Sequence, residues 1–201
     1  MHRRITLVFT LSLSLIFTSV FSQAKEKKVL IRILQDDALM LNEFQSQLTL
    51  KKKTFKFQVL LQNIEGVYVF ASIRDSVYRF TEQGPIRDFI YLPLLELRED
   101  KFNTYKELNI SETGWSYWFY NPKADWFPFQ RDVVPIDSST VICSKVIKQL
   151  YDVADEKAIK LKELKSPLYL FFIAVSEYDD KGKPIKELMR RKIKIDWEDD
   201  D

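Results

Sequence analysis

The sequence predicts a mainly β fold, an antiparallel β-sandwich with one short helix near residues 140–153. Apolar and polar residues alternate along several segments, which is the pattern of half-buried strands. Aromatic residues make up 14% of the chain, and together with β-branched residues they concentrate in these segments. Short polar stretches containing Gly, Pro, Asn or Asp separate them. We expect one sandwich domain over residues 25–201.

The first 24 residues have the organisation of a secretory signal peptide. Residues 2–4 are basic, and residues 5–21 are apolar apart from Ser and Thr. Ser22 and Ala24 offer small side chains at the −3 and −1 positions of a cleavage site. The apolar run is shorter than the about 20 residues that span a bilayer. We therefore expect residues 1–24 to be cleaved, with a retained membrane anchor as the alternative, and the domain to be secreted or periplasmic.

The charge and histidine content excludes several functions. His2 is the only histidine, so cleavage leaves no imidazole for Ser-His-Asp catalysis, Cys-His catalysis or zinc binding. Residues 1–24 hold two Arg and no acids, so 29 basic and 29 acidic side chains remain. This balance argues against a nucleic-acid partner. The basic run at residues 51–53 is expected to be a solvated turn, and we predict neither a cofactor nor a metal site.

The single cysteine supports the same location. Cys143 has no partner for an internal disulfide, which favours the bacterial envelope over a eukaryotic extracellular space. Its neighbours in sequence are apolar, so we expect a buried and inert thiol. A reactive thiolate would need a cation to lower its pKa, and only Lys145 and Lys148 are close in sequence.

The first half of the domain is predicted to be a meander of strands. Alternation is clearest over residues 55–62, where Phe55, Phe57, Val59 and Leu61 fall on one face. A turn at residues 63–66 leads into a segment rich in β-branched and aromatic residues. Strands are expected, in order, at residues 29–34, 55–62, 67–73 and 77–80.

The second half is predicted to contain the helix and a long hairpin. Apolar residues spaced by four, four and three positions predict one stripe of an amphipathic helix over about 140–153: Ile142, Val146, Leu150 and Val153. Residues 168–178 have few polar positions and are expected to form a strand buried on both faces. A polar turn at residues 179–183 then leads into a strand over 186–197.

One short segment resembles a feature of immunoglobulin-like sandwiches. Residues 164–169 (LKSPLY) are similar to the tyrosine corner, in which a Tyr at the start of a late strand bonds to upstream backbone. The resemblance implies an immunoglobulin-like sandwich and a structural role for Tyr169. The alternative is a strand that simply begins after a proline turn.

The densest aromatic stretch, residues 114–130, offers the candidate binding residues. A strand over 115–120 and the segment after the following turn would present flat aromatic faces, which suit sugars, apolar chains or partner loops. The candidates are Trp118, Tyr120, Trp126 and Phe127. The alternative is that these side chains pack inside the protein.

Carboxylates offer the remaining route to catalysis. A pair chosen from Glu112, Asp125 and Asp132 could act as acid and base on a glycosidic bond, although their spacing does not single them out. We therefore assign no catalytic residue. The sequence favours a non-catalytic module that binds a protein or a glycan. The alternatives are a carboxylate-dependent glycoside hydrolase of the cell envelope and a structural part of an envelope assembly that adds a sheet edge.

Overall fold

The computed structural model describes residues 26–41, 43–64, 66–81, 92–99, 104–105, 107–110, 117–119, 133–180 and 184–198. Over these residues the chain forms fifteen strands in two sheets. The predicted signal peptide lies outside them. Sheet A has the strand order β10-β11-β4-β1-β2, and every pairing in it is antiparallel. Its strands are β1 (Lys28–Gln35), β2 (Ala38–Leu41), β4 (Phe55–Gln62), β10 (Val133–Pro135) and β11 (Thr140–Ile147).

Sheet B contains the other ten strands. They are β3 (Gln47–Leu50), β5 (Gly66–Ser72), β6 (Leu95–Arg98), β7 (Thr104–Tyr105), β8 (Glu107–Ile110), β9 (Tyr117–Phe119), β12 (Gln149–Asp152), β13 (Lys157–Lys160), β14 (Leu168–Tyr178) and β15 (Pro184–Trp197). The order is β13-β12-β6-β5-β14-β15-β3, with β7 beside β6, and with β8 joining β9 to β5. Strands β15 and β3 are parallel, so the sheet is mixed.

The two sheets share one hydrophobic core, which confirms the predicted mainly β sandwich. Phe57 of sheet A meets Phe172 of sheet B edge to face, with ring centroids 5.5 Å apart. Aromatic pairs in this geometry add to the stabilisation that comes from burial alone. Cys143 is buried on the inward face of sheet A, as expected for a structural cysteine. Strand β14 lies between β5 and β15, and both its faces are buried from Leu168 to Val175.

The outer face of sheet B is covered by the chain itself. Helix α1 (Asp75–Phe80) places Val77 against Tyr169 and Phe171. Two groups of buried residues lie on this face: one contains Val77, Tyr169 and Phe171, and the other contains Tyr68, Ile173 and Val175. Leu92 and Leu94 pack against both groups. The strand predicted over 77–80 is therefore wrong. The chain forms α1 there, with Val77 buried and with the Tyr78 ring packed against the rings of Tyr169 and Phe171.

The helix predicted near residues 140–153 is also wrong, because β11 and β12 occupy this segment. Val141, Cys143 and Ile147 point into the core with a period of two. Lys145 occupies the inward position between Cys143 and Ile147 and is only 2% exposed, so a charged residue hides the alternation in the sequence. Three apolar residues and a lysine on one face, with β-branched residues throughout, favour a strand.

The expected meander is split between the two sheets. Strand β4 pairs with β1 and β11, whereas the next strand, β5, pairs with β6, β8 and β14. The crossing begins at Asn63, which adopts a left-handed φ of 51°. Its backbone N–H donates to Ser139 O at 3.0 Å and its side-chain amide to Glu26 O at 2.8 Å. The turn therefore changes sheets where we expected a hairpin.

The predicted turn at residues 51–53 is confirmed, and it is fixed by two neighbours. Buried Gln35 donates to Lys51 O at 3.0 Å and accepts from the Lys51 N–H at 2.9 Å. The Lys53 ammonium lies 2.5 Å from a carboxylate oxygen of Asp36. Asp36 and Asp37 both have positive φ, as a two-residue hairpin turn requires. One lysine of the basic run is thus paired with an acid in the adjoining hairpin.

Tyr169 is 5% exposed, and its hydroxyl donates to the Asp75 carboxylate at 3.4 Å. Burial, followed by the nearby Asp75 charge, raises the pKa of this phenol. A tyrosine corner would instead bond to upstream backbone. This contact gives Tyr169 a structural role in holding α1, while the immunoglobulin-like type of sandwich stays a prediction.

Candidate functional site

The binding residues predicted from the sequence lie at or beyond the limits of the described structure. Trp118 is on β9, opposite Asn109 of β8, so its backbone belongs to sheet B. Its side chain is outside the described residues, as are Tyr120, Trp126 and Phe127. The same holds for the three candidate carboxylates, Glu112, Asp125 and Asp132. The aromatic surface and the hydrolase site therefore stay predictions.

The described residues give no sign of a metal centre or a membrane-spanning helix. Among them, no three or more His, Cys, Asp or Glu side chains are grouped so that they could hold a metal ion. None of the helices in that part of the chain combines the length and apolarity needed to cross a bilayer. The most informative feature of the described surface is instead the outer face of sheet A.

Three central strands of sheet A divide their side chains between the core and the outer face. In β4, the odd-numbered residues from Phe55 to Leu61 are buried, and the even-numbered ones face outward. The same alternation runs through β1, where Ile31 and Ile33 are buried, and through β11. Outward positions on such a sheet are normally polar. Here, a large share of them is apolar.

Three of these apolar side chains, together with Val134 of the edge strand β10, form a continuous row across four strands. The strand registers place Val134 opposite Ile142, Ile142 opposite Leu60, and Leu60 opposite Leu30. Directly opposed residues of antiparallel strands lie on the same face, with their Cβ atoms about 5 Å apart. We call the set Val134, Ile142, Leu60 and Leu30 the apolar row.

The apolar row is partly open to solvent. Val134 is 54% exposed, and Ile136, two residues further along the same edge, is 57% exposed. Leu30, Leu60 and Ile142 are half-buried. None of the three packs against the shared core, whereas Val29, the inward neighbour of Leu30, does. Each of these side chains therefore keeps some apolar surface that the shared core does not bury.

Polar and basic residues flank the apolar row. On one side lies a row of Ser144, Gln58 and Arg32, in which the Gln58 amide donates to the Ser144 hydroxyl at 3.1 Å. On the other side lie Gln62 and Lys28, which are opposite one another. The apolar row thus lies between two rows of polar residues.

The turn at the β10 end of the row is ordered by one carboxylate. Asp137 accepts hydrogen bonds from the Ser139 backbone N–H at 2.7 Å and from the Ser139 hydroxyl at 2.9 Å. These bonds, the backbone one first, lower the pKa of Asp137, so it carries its charge throughout the neutral range. The Ile136 N–H donates to Thr140 O at 2.9 Å and closes the turn.

Strand β10 is the outermost strand of sheet A in the described structure, and Pro135 lies within it. The Ile136 N–H points toward β11, since it bonds to Thr140. Backbone groups alternate in direction along a strand, so the amide position of residue 135 faces away from the sheet. Proline places no N–H there, which blunts the edge against further strand addition.

Sequence reasoning missed this surface because its residues had been assigned to other structures. Ile142 and Val146 define the stripe of the helix predicted near 140–153, yet both face outward from β11. The sequence does contain a signal for this surface, namely apolar residues at strand positions where the alternation would place polar ones. Leu60 between Gln58 and Gln62 is one case, and Leu30 and Leu34 on either side of Arg32 are another.

Comparison with known proteins finds no family model, no curated protein and no solved structure that matches this chain. What the chain does must therefore be inferred from the chemistry of its own surfaces.

Proposed function

We propose that this protein is a non-catalytic interaction module of the bacterial envelope, secreted or periplasmic, that binds a protein partner on the outer face of sheet A. The observation that carries the proposal is the apolar row, in which four adjacent strands present one apolar side chain each toward solvent. The signal-like first 24 residues support the location.

A partner would gain from covering this row because each side chain has apolar area left to bury. Burial is worth about 25 cal/mol per Å² of apolar surface removed from water. Contiguous apolar patches on soluble proteins commonly mark interaction sites, while single exposed apolar residues do not. Leu30, Leu60 and Ile142 are directly opposite one another in adjacent strands, which makes them a patch and not scattered single residues.

The proposal uses the face of the sheet, which distinguishes it from an assembly part that adds a strand to a sheet edge. Pro135 leaves the adjoining edge without a donor at its centre. A partner that docks beside Val134 and Ile136 would therefore make side-chain contacts, not a continued ladder of backbone hydrogen bonds. The glycan-binding and hydrolase alternatives depend on residues outside the described structure.

Site-specific photo-crosslinking in the cell that makes the protein tests the proposal. A photoreactive amino acid replaces Leu60 or Ile142 on the outer face, or Glu163 on an exposed turn as the matched control. We expect positions 60 and 142 to capture the same protein and position 163 to capture none. Equal capture at all three positions would contradict the proposal.

The captured protein is then purified and titrated against the full chain. We expect the double variant Leu60→Thr, Ile142→Thr to lower the affinity at least about tenfold, which is about 1.4 kcal/mol. Threonine keeps the β-branched preference for strands, so folding should be retained, and circular dichroism checks this. The variant Glu163→Gln is the control, and unchanged affinity of the double variant would refute the assignment of the surface.

A further inference from the structure

The outer face of sheet A carries charge of one sign. The outward positions of its described strands include Lys28, Arg32 and Lys56, and no Asp or Glu is among them. Lys56 lies 3.6 Å from Asp37 in the β1–β2 turn, so part of its charge is balanced within the chain. Lys28 and Arg32 are exposed and lie on β1, on either side of Leu30.

These two cations therefore flank one end of the apolar row. Residues two apart on a strand are about 6.6–6.8 Å from one another along the chain direction. Leu30 ends the row on β1, with Lys28 on one side and Arg32 on the other. The opposite end of the row, at Val134 and Ile136, has apolar side chains only at its outward positions. The surface is thus polarised along the row.

The spacing of the row indicates which secondary structure fits it. Neighbouring strands are about 4.8 Å apart, so four strands cover about 14 Å. Side chains three or four apart on a helix are about 5–6 Å from one another, which nearly matches this spacing. Same-face side chains of an extended segment are about 6.6–6.8 Å apart and fall out of step with it. A helix on a sheet is also a common way to cover an apolar face.

We propose that the partner contributes an acidic amphipathic helix that lies across the strands along the apolar row. This inference rests on the proposed function and names its ligand. The apolar stripe of the helix contacts Val134, Ile142, Leu60 and Leu30. Its Asp or Glu residues lie at the end above β1, where they meet Lys28 and Arg32.

A second copy of this chain fits the surface less well. Two outer faces of sheet A placed against each other would bring Lys28, Arg32 and Lys56 toward like charges. Like-charge contacts in an interface cost free energy and suppress the wrong partner. The single sign of the charge on this face therefore favours an acidic partner over self-association.

Fluorescence anisotropy with three synthetic peptides tests the inference on the full chain. All three share one apolar stripe at i, i+3, i+7 and i+10, and their polar positions at one end are Glu, Gln or Lys. We expect the Glu peptide to bind at least about tenfold more tightly than the Gln peptide at low salt. The Lys peptide should bind most weakly, and the preference for Glu should shrink as salt rises.

The variant Lys28→Gln, Arg32→Gln should remove the preference for the Glu peptide and leave binding of the Gln peptide unchanged. Lys157→Gln, an exposed position on β13, is the matched control and should keep the preference. Equal binding of the Glu and Gln peptides to the wild-type chain would overturn the acidic partner. No binding of any peptide would overturn the helix.

Two further outcomes separate this inference from the function it rests on. Crosslinking at positions 60 and 142 that persists while all three peptides fail would leave the interaction module standing and remove only the helix. Binding to vesicles of equal phosphatidylcholine and phosphatidylglycerol, with no peptide binding, would identify an anionic membrane surface and overturn the protein partner.

Sedimentation of the full chain tests the argument against a second copy. A monomer would agree with that argument, and a stable dimer that is lost in the variant Leu60→Thr, Ile142→Thr would overturn it.

Discussion

The outer faces of the two sheets carry apolar side chains, but among the described residues only that of sheet B is covered by other segments of the chain. On sheet B, Phe171, Ile173 and Val175 are completely buried beneath or beside α1 and the segment of Leu92 and Leu94. On sheet A, the corresponding side chains are half-buried or, at Val134, mostly exposed. A strand can therefore carry apolar residues on both faces, and those on its outer face are buried only where another segment covers them.

The buried charges show the same contrast. Glu96 and Arg98 lie on the outer face of sheet B, since the alternate residues Leu95 and Leu97 belong to the core. Both are buried, they form an ion pair, and the Arg98 guanidinium lies 3.6 Å from the centre of the Tyr151 ring. On sheet A, the outward Arg32 is exposed. Around β5, β6 and β14, sheet B is thus internal on both faces, whereas the outer face of sheet A is partly exposed.

The largest expected effect is on the covered outer face. Phe171→Ala should lower the free energy of unfolding by about 3–5 kcal/mol, as expected for a completely buried Phe whose loss leaves a cavity. The Phe171 ring centroid lies 5.8 Å from that of Tyr78 on α1, so the cavity would loosen the helix that covers the sheet. Urea unfolding measures the change.

Phe172→Ala, in the shared core, is the matched control for that prediction. Its ring packs on Phe57, and we expect a loss of similar size because both faces of β14 are buried. A much smaller loss for Phe171→Ala than for Phe172→Ala would show that the outer face of sheet B is not a true core, and the contrast between the sheets would fail.

A smaller effect is expected for adjacent residues of β4. Val59→Thr places a hydroxyl in the core and should cost about 1–3 kcal/mol. Leu60→Thr, one residue further on, faces outward from sheet A and should change stability by less than about 1 kcal/mol. Thermal unfolding of both variants measures the difference. A larger loss of stability for Leu60→Thr would mean that the apolar row is needed for folding, which would contradict its assignment as a binding surface.

The sequence predicted the layers of the fold better than it predicted their connections. Strands β1, β4, β5, β14 and β15 were all expected, because each carries a strong period-two pattern or a dense apolar run. The assignment of β4 and β5 to different sheets could not be read from the sequence, since turn residues alone do not say whether a chain reverses or crosses. Lys145 shows a second limit, because a buried charge makes a core-facing strand look like an amphipathic helix.

The candidate site was less predictable than the fold. A site built from one residue on each of four strands has no motif, because Leu30, Leu60, Val134 and Ile142 are adjacent only after the strands are in register. Aromatic density directed attention to Trp118 and Trp126 instead, and those side chains lie outside the described structure. Sequence patterns identify which residues share a strand face, but neighbours across strands depend on topology.

The smallest expected effect concerns the turn that ends the apolar row. The pKa of Asp137 is lowered in the folded protein, so its charge stabilises the fold above the ordinary value of 3.8. That contribution is lost as the pH falls through the lowered pKa. Asp137→Asn should therefore lower the thermal midpoint slightly at neutral pH, and this deficit should shrink as the pH falls below 3.8. A deficit that stays constant as the pH falls would show that the carboxylate charge is not what orders the turn.

Pro135 has a consequence for how the protein survives at high concentration. An apolar sheet face beside a hydrogen-bonding edge would be a template on which further chains could polymerise. At the β10 edge, Pro135 removes the amide hydrogen that would face an incoming strand. If the apolar row binds a partner as proposed, copies that await this partner are then hindered from extending sheet A into fibrils at that edge.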